Sequence, residues 1–441
     1  MEAPPDEPAP SLAGDRTADV AIVGGGYTGL WTALALKRRD PDLRVAVVEA
    51  KFVGHGPSGR NGGFLHGWWS SLPSLRAVFG DAAALELARA SAGCVEAVRA
   101  LGEDVWLREG GLLKVSASAA QDGEVVRAVE AAAALGVPEE AVSLTAEQVA
   151  ARCSSPVFRS GVLYRDGATV QPARLVRALR RAALAAGVEL YERSPARLRR
   201  GVVETPDGAL RAREVVLAIN AWAVRWRPAA RRLTSFGSFV VLTEPVPDLL
   251  GEIGWNGGEA IVDGRMFLHY FRATEDGRVL MGSGSGPIRA PDRLWDDPAS
   301  SARAEAGLRR LLPALRDARI EASWGGPIDV SADRFPFVGT LPGRRIHYAA
   351  GFSGNGVGPS WLAGQVLAAR VLGADDEWSR LPLERRTRGL PPEPLKRVGG
   401  SLVRAAALRA EQADEEGRSP ALWARAGAAL PRLFGIRLGL R

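Results

Sequence analysis

The chain has 441 residues, a hydrophobic fraction of 46% and a net charge of +7, which arises from 57 basic and 50 acidic residues. This length predicts two or three domains, and the composition is typical of a globular protein with a sizeable core. No run of about 18 uncharged apolar residues occurs, so we expect no transmembrane segment. The two cysteines, Cys94 and Cys153, lack metal or redox spacing, so we expect reduced thiols, a cytoplasmic location and no bound metal.

Two segments stand out by composition alone. The first is residues 1–17, which are acidic and rich in proline and lack the basic start and apolar stretch of a signal peptide, so we expect a disordered arm. The second is the arginine cluster RWRPAARR at residues 225–232, which is compatible with a nucleic-acid surface. Because no aromatic stacking platform accompanies it, we interpret it as a solvated helix face and expect no nucleic-acid partner.

A glycine motif follows the first predicted strand. An apolar stretch at residues 18–23 leads into G-x-G-x-x-G and then into a helix with an apolar stripe. In a dinucleotide site Gly24 makes the tight turn, Gly26 lets the backbone approach a pyrophosphate, and Gly29 lets the helix pack closely on the strand. Glu49 ends the next predicted strand twenty residues later, where it would accept hydrogen bonds from ribose hydroxyls. The motif therefore predicts a bound NAD or FAD.

A second glycine-rich stretch begins soon after this acid. Residues 52–71 read FVGHGPSGRNGGFLHGWWSS and show neither helical nor strand periodicity, which predicts a long loop. Backbone N–H groups in such a loop can approach phosphate and ring oxygens closely because no Cβ intervenes. The position of this loop favours a flavin over a nicotinamide cofactor.

The segment GPSGRNGGF at residues 56–64 resembles the A-S-G-R-N-G-G loop of the D-amino-acid oxidase-like (DAO) family of FAD-dependent oxidoreductases, and is most similar to the branch of γ-glutamylputrescine oxidase-like amine oxidases. Three further stretches resemble motifs of the family in the same order: REVVLAINAW at residues 213–222, SWGGPIDVSADRFPFVG at 323–339, and the strand, turn and helix of 346–373. The resemblance covers roughly residues 18–373 and implies FAD as the cofactor.

The family implies an α/β fold in which a Rossmann-type FAD-binding domain is interleaved with an antiparallel-sheet substrate domain, followed by a helical C-terminal tail. Alternating apolar and polar residues over 236–285 independently predict an antiparallel sheet. The last tail segment is basic and amphipathic; it could touch an anionic membrane or a partner, although we favour packing on the protein itself. The expected boundaries are 18–90, 155–235 and 323–373 for the FAD-binding domain, 91–154 and 236–322 for the substrate domain, and 374–441 for the tail.

The motifs and the resemblance together predict a set of cofactor-binding residues. They are Gly24, Gly25, Gly26, Thr28, Gly29, Glu49, Ala50, Lys51, Ser58, Gly59, Arg60, Asn61, Gly62, Gly63, Phe64, Leu65, Ala196, Asn220, Ala221, Trp222, Gly351, Phe352, Ser353, Gly354, Asn355, Gly356 and Val357. The free N–H groups of residues 351–357, at the start of a predicted helix, are expected to stabilise negative charge on the flavin ring.

Three residues are candidates for catalysis. His66 leaves the glycine loop and could bind substrate or, as in some members of the family, anchor the flavin covalently. His269 and Tyr270 are adjacent on a predicted strand, so only one of them should face the flavin, and we favour Tyr270. Neither cysteine lies in a flavin motif, so we expect non-covalent FAD.

Departures from the family pattern bear on the substrate. The stretch of residues 325–329 lacks an arginine that would clamp a carboxylate, and it ends in Asp329, which could read a cationic substrate or be a structural turn residue. Trp68 and Trp324 are the other expected substrate contacts. The lysine that activates oxygen in some relatives corresponds to Leu280, which weakens an oxidase assignment.

These features favour FAD-dependent oxidation of a primary or secondary amine by hydride transfer to flavin N5, with oxygen or another acceptor restoring the cofactor. Extended amines are expected to outperform glycine, D-alanine and sarcosine. Two alternatives remain: an amino-acid oxidase or dehydrogenase whose carboxylate is held from elsewhere, for example by Arg272, and a non-catalytic flavoprotein or partner-binding subunit. The oligomeric state is open.

Overall fold

The structure is a computed structural model that describes residues 7–433 and 435–436. Its strands are β1 (Gly14–Val23), β2 (Val45–Val48), β3 (Phe64–Leu65), β4 (Leu112–Ser116), β5 (Val142–Thr145), β6 (Ser160–Tyr164), β7 (Ala168–Thr169), β8 (Glu189–Tyr191), β9 (Arg197–Arg199), β10 (Val202–Glu204), β11 (Gly208–Leu217), β12 (Leu233–Thr243), β13 (Ala260–Asp263), β14 (His269–Ala273), β15 (Val279–Ser283), β16 (Ile320–Ser331), β17 (Phe337–Thr340) and β18 (Ile346–Ala350).

The helices of the described residues complete the element order. They are α1 (Tyr27–Arg39), α2 (Leu72–Phe79), α3 (Asp81–Ala92), α4 (Cys94–Arg99), α5 (Asp122–Ala134), α6 (Ala146–Ala150), α7 (Pro172–Ala185), α8 (Arg227–Ala230), α9 (Pro247–Glu252), α10 (Pro298–Leu311), α11 (Pro359–Leu372), α12 (Glu377–Arg380), α13 (Leu395–Glu415) and α14 (Leu422–Leu433). None of them is long and apolar enough to cross a membrane.

The first sheet carries the glycine motif. Its strands run in the order β17-β18-β11-β1-β2-β8, with β10 beside β11 and β9 beside β10. β1 lies parallel to both β2 and β11, and all four valine and alanine side chains of β2 are buried, as a parallel sheet covered on both faces requires. Helices α1, α7 and α11 pack together on one face.

The second sheet runs in the order β16-β12-β15-β14-β13-β4-β6-β5 and is antiparallel except where β13 pairs with β4. Because side chains alternate along each strand, Leu113, Phe271 and Met281 point to one face, where they pack with Leu308 and Leu311 of α10. The opposite face is left for the first domain and the tail. These two sheets confirm the predicted fold, a Rossmann-type domain interleaved with an antiparallel-sheet domain.

Three predicted boundaries differ from the structure. Strand β6 and strand β16 belong to the second sheet, although they were assigned to segments 155–235 and 323–373 of the FAD-binding domain. The disordered arm is wrong for residues 7–17, because Leu12 is buried and β1 begins at Gly14. The remaining residues of that arm, 1–6, lie outside the described part of the chain.

The tail is helical, as predicted, and packs on the second sheet. The guanidinium of Arg265 pairs with Glu411 at 3.0 Å and with Glu415 at 3.1 Å, and both acids belong to α13. Helix α14 then packs along α13, since Gly427 lies directly against Ala406. The end of the basic segment, residues 437–441, falls outside the described residues.

Candidate active site

The turn between β1 and α1 accepts only glycine at two positions. Gly24 has φ of +113°, and a Cβ placed there would lie 2.3 Å from the carbonyl oxygen of Ala218 on the neighbouring strand connection. A Cβ at Gly29 would lie 2.0 Å from the carbonyl oxygen of Gly24. Because these contacts are with backbone atoms, no side-chain movement can relieve them. The geometry of the turn therefore requires glycine at both positions.

The N-terminus of α1 opens onto the glycine loop. The helix begins at Tyr27, and its N-cap residue, Gly26, provides no side-chain hydrogen bond. The Tyr27 N–H donates to Ser58 Oγ at 3.0 Å, so the loop folds over the first turn of the helix. A helix N-terminus with its N–H groups directed at a glycine loop is an anion-binding site.

Glu49 lies at the end of β2, beside this turn. Its carboxylate accepts hydrogen bonds from the N–H groups of Gly25 at 2.8 Å and Lys51 at 2.9 Å, and burial raises its pKa. The N–H of Ser194 donates to the Glu49 carbonyl, which brings the segment containing Ala196 alongside. The motif, the acid and this segment therefore lie side by side, which is the arrangement that an adenosine pocket would need.

Side chains from both domains tie down the glycine loop. Asn61 donates to the Ser58 carbonyl at 2.9 Å and accepts from the Gly63 N–H at 2.8 Å. From the second sheet, Arg272 donates through Nε to the carbonyl of Gly62 at 2.6 Å.

Two candidate substrate contacts therefore have another role. Arg272 is buried with its Nε bonded to the loop, so it is not placed as the carboxylate clamp considered above. The indole N–H of Trp324 donates to the Arg60 carbonyl at 2.8 Å, and Trp324 does not line the cavity described below. Both side chains hold the glycine loop against the second sheet.

Asp329 does not face a substrate pocket either. It is fully buried, and its carboxylate accepts the N–H groups of Gly351 and Phe352, the latter at 3.1 Å. Its backbone carbonyl accepts the Ser353 N–H at 2.8 Å. The side-chain amide of Asn220 approaches the same carboxylate at 3.4 Å. The structural role left open in the sequence is the one that this geometry supports.

The turn after β18 consequently has fewer free donors than expected. The N–H groups of Gly351, Phe352 and Ser353 donate to Asp329, so these three are not free to stabilise negative charge on the flavin ring. Within the described residues, the N–H groups of Gly354 and Gly356 have no acceptor. Trp222, in the short helical turn of residues 220–225 that follows β11, donates through its indole N–H to Asp292 at 3.0 Å.

A cavity of about 450 Å³ lies where the glycine loop, the turn of residues 353–357, the second sheet and the tail meet. Phe64 and Trp68 border it from the loop side, Val262 from the sheet, and Ile328 from β16. Trp68 is buried and packs edge-on against Phe335, with ring centroids 5.8 Å apart. The walls are largely apolar, as in most pockets for small organic ligands.

Tyr270 is the residue of the adjacent pair that lines the cavity. Its hydroxyl lies 2.8 Å from Ser238 Oγ, and its ring packs edge-on against Phe64 with centroids 5.6 Å apart. Burial raises the pKa of Tyr270 to about 12, so the phenol remains protonated at neutral pH.

His269 points to the opposite face of the sheet, so it is not placed for catalysis at the cavity. Its Nδ1 lies 2.7 Å from Asp263 Oδ2, and its Nε2 lies 3.3 Å from Arg265. Asp263, His269 and Glu415 are close enough to hold a metal ion, but the Arg265 guanidinium already provides a cation to this cluster. We therefore assign the cluster a structural role in attaching the tail.

His66 lines the cavity at the end of the glycine loop. Its Nδ1 lies 2.8 Å from the Gly67 carbonyl, which can only accept, so Nδ1 carries the proton. In the neutral ring the lone pair is then on Nε2. Burial lowers the pKa of His66, which favours this neutral form at pH 7.

Four cationic side chains that line the cavity were missed: Lys114, Arg334, Lys396 and Arg404. Lys114 of β4 is buried at the wall, with Nζ 3.1 Å from Glu124 Oε2, and burial lowers its pKa. Arg334 also lines the cavity, and its backbone is in the left-handed region with φ of +70°. Burial lowers the pKa of its guanidinium as well. One signal was available: Lys114 is a single charge inside the apolar run GGLLKVS.

Comparison with known proteins agrees with this geometry. Residues 19–370 match the model of the DAO family of FAD-dependent oxidoreductases. The chain belongs to this family. It is 31% identical to a probable oxidoreductase OrdL of Rhizobium meliloti (strain 1021), over 85% of this chain and 87% of that protein. It is 29% identical to the gamma-glutamylputrescine oxidoreductase of Escherichia coli (strain K12), over 83% and 86% of the two chains.

The solved structures support the fold. Glycine oxidase from Geobacillus kaustophilus superposes with a TM-score of 0.68 at 23% identity, covering 84% of this chain and 99% of that one. As a member of the DAO family, the protein is an FAD-dependent oxidoreductase.

The residues present fit FAD. Gly24 and Gly29 leave no room for a side chain, and the first turn of α1 meets the loop without an acidic residue. We propose that the motif of residues 24–29, Glu49 and the glycine loop hold the nucleotide and pyrophosphate. The turn of residues 353–357 would meet the ring.

Non-covalent attachment remains a prediction, and the placement of the cysteines supports it. Cys94 and Cys153 are buried, neither borders the cavity, and burial raises both thiol pKa values. Acid precipitation of the purified protein should therefore leave the flavin absorbance in the supernatant. A yellow pellet that becomes white in His66→Ala would instead identify His66 as a covalent anchor.

Proposed function

We propose that the protein oxidises a C–N bond of a primary or secondary amine. The amine loses two electrons and two protons and becomes an imine, which water hydrolyses to a carbonyl compound and ammonia or a smaller amine. Bound FAD supplies the two-electron acceptor at flavin N5, and oxygen or another acceptor reoxidises it. The observation that carries the proposal is the apolar cavity with the neutral His66 at the edge of the flavin loop.

His66 and Tyr270 would position the amine. The unprotonated Nε2 of His66 can accept an N–H of the substrate, which directs the nitrogen and its neighbouring C–H bond. Tyr270 stays protonated and can donate to a second polar atom of the substrate. The apolar walls disfavour an ammonium ion, so the amine would bind in its neutral, oxidisable form.

The cavity does not favour a second cation on the substrate. Asp329 lies under the glycine turn, so the expected preference for extended cationic amines loses its physical basis. Lys114, Arg334, Lys396 and Arg404 border the cavity, Lys114 being paired with Glu124, and Asp333 is the acid among the described lining residues. This excess of cations supports substrates whose remaining part is neutral or anionic.

The same lining supports a second candidate, an amino acid whose carboxylate is bound by one of these cations. Arg334 is the best placed, because it borders the cavity from the segment that follows β16. The relatives are named for both kinds of substrate, since they include glycine oxidases as well as the gamma-glutamylputrescine oxidoreductase.

A matched set of substrates separates the two candidates. Pentylamine and norleucine differ only by a carboxylate, and putrescine replaces the apolar end with a second amine. We expect pentylamine to bleach the flavin absorbance without oxygen and putrescine to do so more slowly. Bleaching by norleucine that is at least about tenfold faster would favour the amino-acid reaction, because a charge-assisted contact is worth roughly that factor. No bleaching by any amine or amino acid would contradict C–N oxidation.

Removing the His66 acceptor should slow the chemical step. In His66→Phe we expect flavin reduction to be about a hundredfold slower, within the usual range for a positioned acid or base, with FAD content unchanged. The pKa of His66 is lowered below its usual 6.5, so protonation of His66 should slow flavin reduction in the wild type only below pH 6.5. The His66→Phe variant should lack this decrease in rate. His55→Phe, in the same loop but outside the cavity, is the control, and its FAD content is measured to show that the loop still holds the cofactor. An unchanged rate in His66→Phe would exclude this role.

A further inference from the structure

The tail carries an unusual concentration of exposed apolar side chains. Among the described residues, three large apolar side chains are exposed outside the tail: Phe52, Val126 and Leu184. Helices α13 and α14 together expose seven. Scattered single residues are ordinary on a protein surface, whereas a group of this size on two adjacent helices marks an interaction surface.

The exposed residues of α13 follow a helical stripe. Leu395, Val398 and Leu402 are separated by three and four positions, so they lie on one side of the helix. Val403, Ala406 and other buried residues occupy the inward side. The stripe is therefore left over after the helix has packed on its own protein.

Helix α14 contributes the second part. Leu422, Trp423, Leu430 and Leu433 are exposed, with Leu422 and Leu433 more than four-fifths accessible at 81% and 82%. Leu430 of α14 and Leu395 of α13 also border the cavity. The apolar surface is thus continuous with the opening of the candidate active site. We call these seven exposed side chains of α13 and α14 the tail surface.

Charge is distributed asymmetrically on the tail. The acids Glu411 and Glu415 of α13 face inward, where they pair with Arg265, and Glu415 also pairs with Arg310 at 2.7 Å. The exposed charged residues of α13 and α14 are Arg397, Arg409, Arg425 and Arg432, and an exposed acid, Glu416, follows α13. The two helices therefore combine exposed apolar side chains with an excess of exposed arginines.

We propose that the tail surface binds an anionic phospholipid bilayer and that the cavity opens beside it. In this arrangement leucine side chains enter the boundary between headgroups and acyl chains, Trp423 lies at the headgroup level, and the arginines contact lipid phosphates. A second copy of the chain fits less well, because a symmetric interface would place arginine against arginine. The protein would lie on the membrane without spanning it.

Vesicle sedimentation with the full-length, FAD-loaded protein tests this proposal. The protein should pellet with vesicles of phosphatidylcholine and phosphatidylglycerol far more than with phosphatidylcholine alone, and added salt should release it. Trp423→Glu should weaken binding at least about tenfold, since it puts a negative charge at the lipid boundary. Arg425→Glu should weaken binding to the anionic vesicles by at least about fivefold, the value of one lost arginine contact.

Val126→Glu is the matched control, because Val126 is 53% exposed and Trp423 is 60% exposed. It should bind vesicles like the wild type, and all variants should keep their flavin absorbance and their rate of amine oxidation. Absence of binding to anionic vesicles, or an equal loss in Val126→Glu, would overturn the proposal. A dimer in light scattering that Trp423→Glu dissociates would show that a second copy occupies the surface instead.

Discussion

Gly29→Ala is expected to abolish FAD binding. The added Cβ would lie 2.0 Å from the carbonyl oxygen of Gly24, so α1 would have to move away from the turn that it closes. Overpacking of this kind costs about 1–3 kcal/mol or more when the neighbour is backbone, and it displaces the helix N-terminus that would face the pyrophosphate. The measurements are the ratio of flavin to protein absorbance after purification and the thermal unfolding midpoint.

Gly251→Ala provides the matched control. Gly251 lies in α9, and a Cβ there would meet no heavy atom within 4 Å. Alanine should be neutral or slightly stabilising at this position, because it restricts the unfolded chain more than glycine does. Full FAD content in Gly29→Ala would mean that the motif does not hold the cofactor, and the proposed site would have to be placed elsewhere.

The local parts of the site could be predicted from the sequence because local geometry determines them. Gly24 and Gly29 are required by a turn of six residues, and Glu49 directly follows the next strand, so both features are visible in one short stretch. The side of the sheet to which Tyr270 points could be predicted in the same way. Side chains alternate along a strand, so Tyr270 and His269 had to point to opposite sides. In each case the constraint acts between residues that are near in sequence.

The roles that were misassigned depend on contacts between distant segments. Asp329 was considered a substrate contact because it ends a stretch that lacks a carboxylate-clamping arginine. Its partners, Gly351 and Phe352, are more than twenty residues away, so the sequence did not reveal them. Arg272 binds the carbonyl of Gly62, which lies 210 positions earlier. A composition or periodicity pattern does not encode which buried donor meets which acceptor. A charged side chain on a strand therefore gives the same sequence pattern whether it binds substrate or backbone.

The tail illustrates the same limit on a larger scale. Its helices were predicted, and packing on the protein itself was the favoured interpretation. That interpretation accounts for Glu411 and Val403, which face inward, but the tail also borders the cavity through Leu395 and Leu430. The join between tail and cavity depends on how two sheets and two helices pack, for which residues 374–441 contain no local signal.

Asp329→Asn distinguishes a structural role from a role in substrate selection. The carboxylate accepts two backbone N–H groups of the glycine turn, and asparagine can accept only one of them while presenting an N–H to the other. We expect a loss of about 1–3 kcal/mol in the free energy of unfolding at neutral pH, together with weaker FAD binding. The relative rates with pentylamine, norleucine and putrescine should stay the same.

The dependence on pH gives this prediction a second readout. Burial raises the pKa of Asp329 to about 6, above the ordinary value of 3.8. A carboxyl whose folded pKa is raised stabilises the fold fully only below its unfolded pKa, and this contribution is lost as the pH rises through about 6. Asparagine does not titrate, so the stability advantage of the wild type over Asp329→Asn should shrink between about pH 4 and pH 7.

Asp317→Asn makes the same chemical change at an exposed position. It should alter the unfolding free energy by less than about 0.5 kcal/mol at either pH. If Asp329→Asn instead left FAD binding and stability intact and changed the ratio of putrescine to pentylamine oxidation, the carboxylate would be reading the substrate. That result would require the glycine turn to move and expose Asp329 when FAD and amine are bound, and the preference for extended cationic amines would then regain its physical basis.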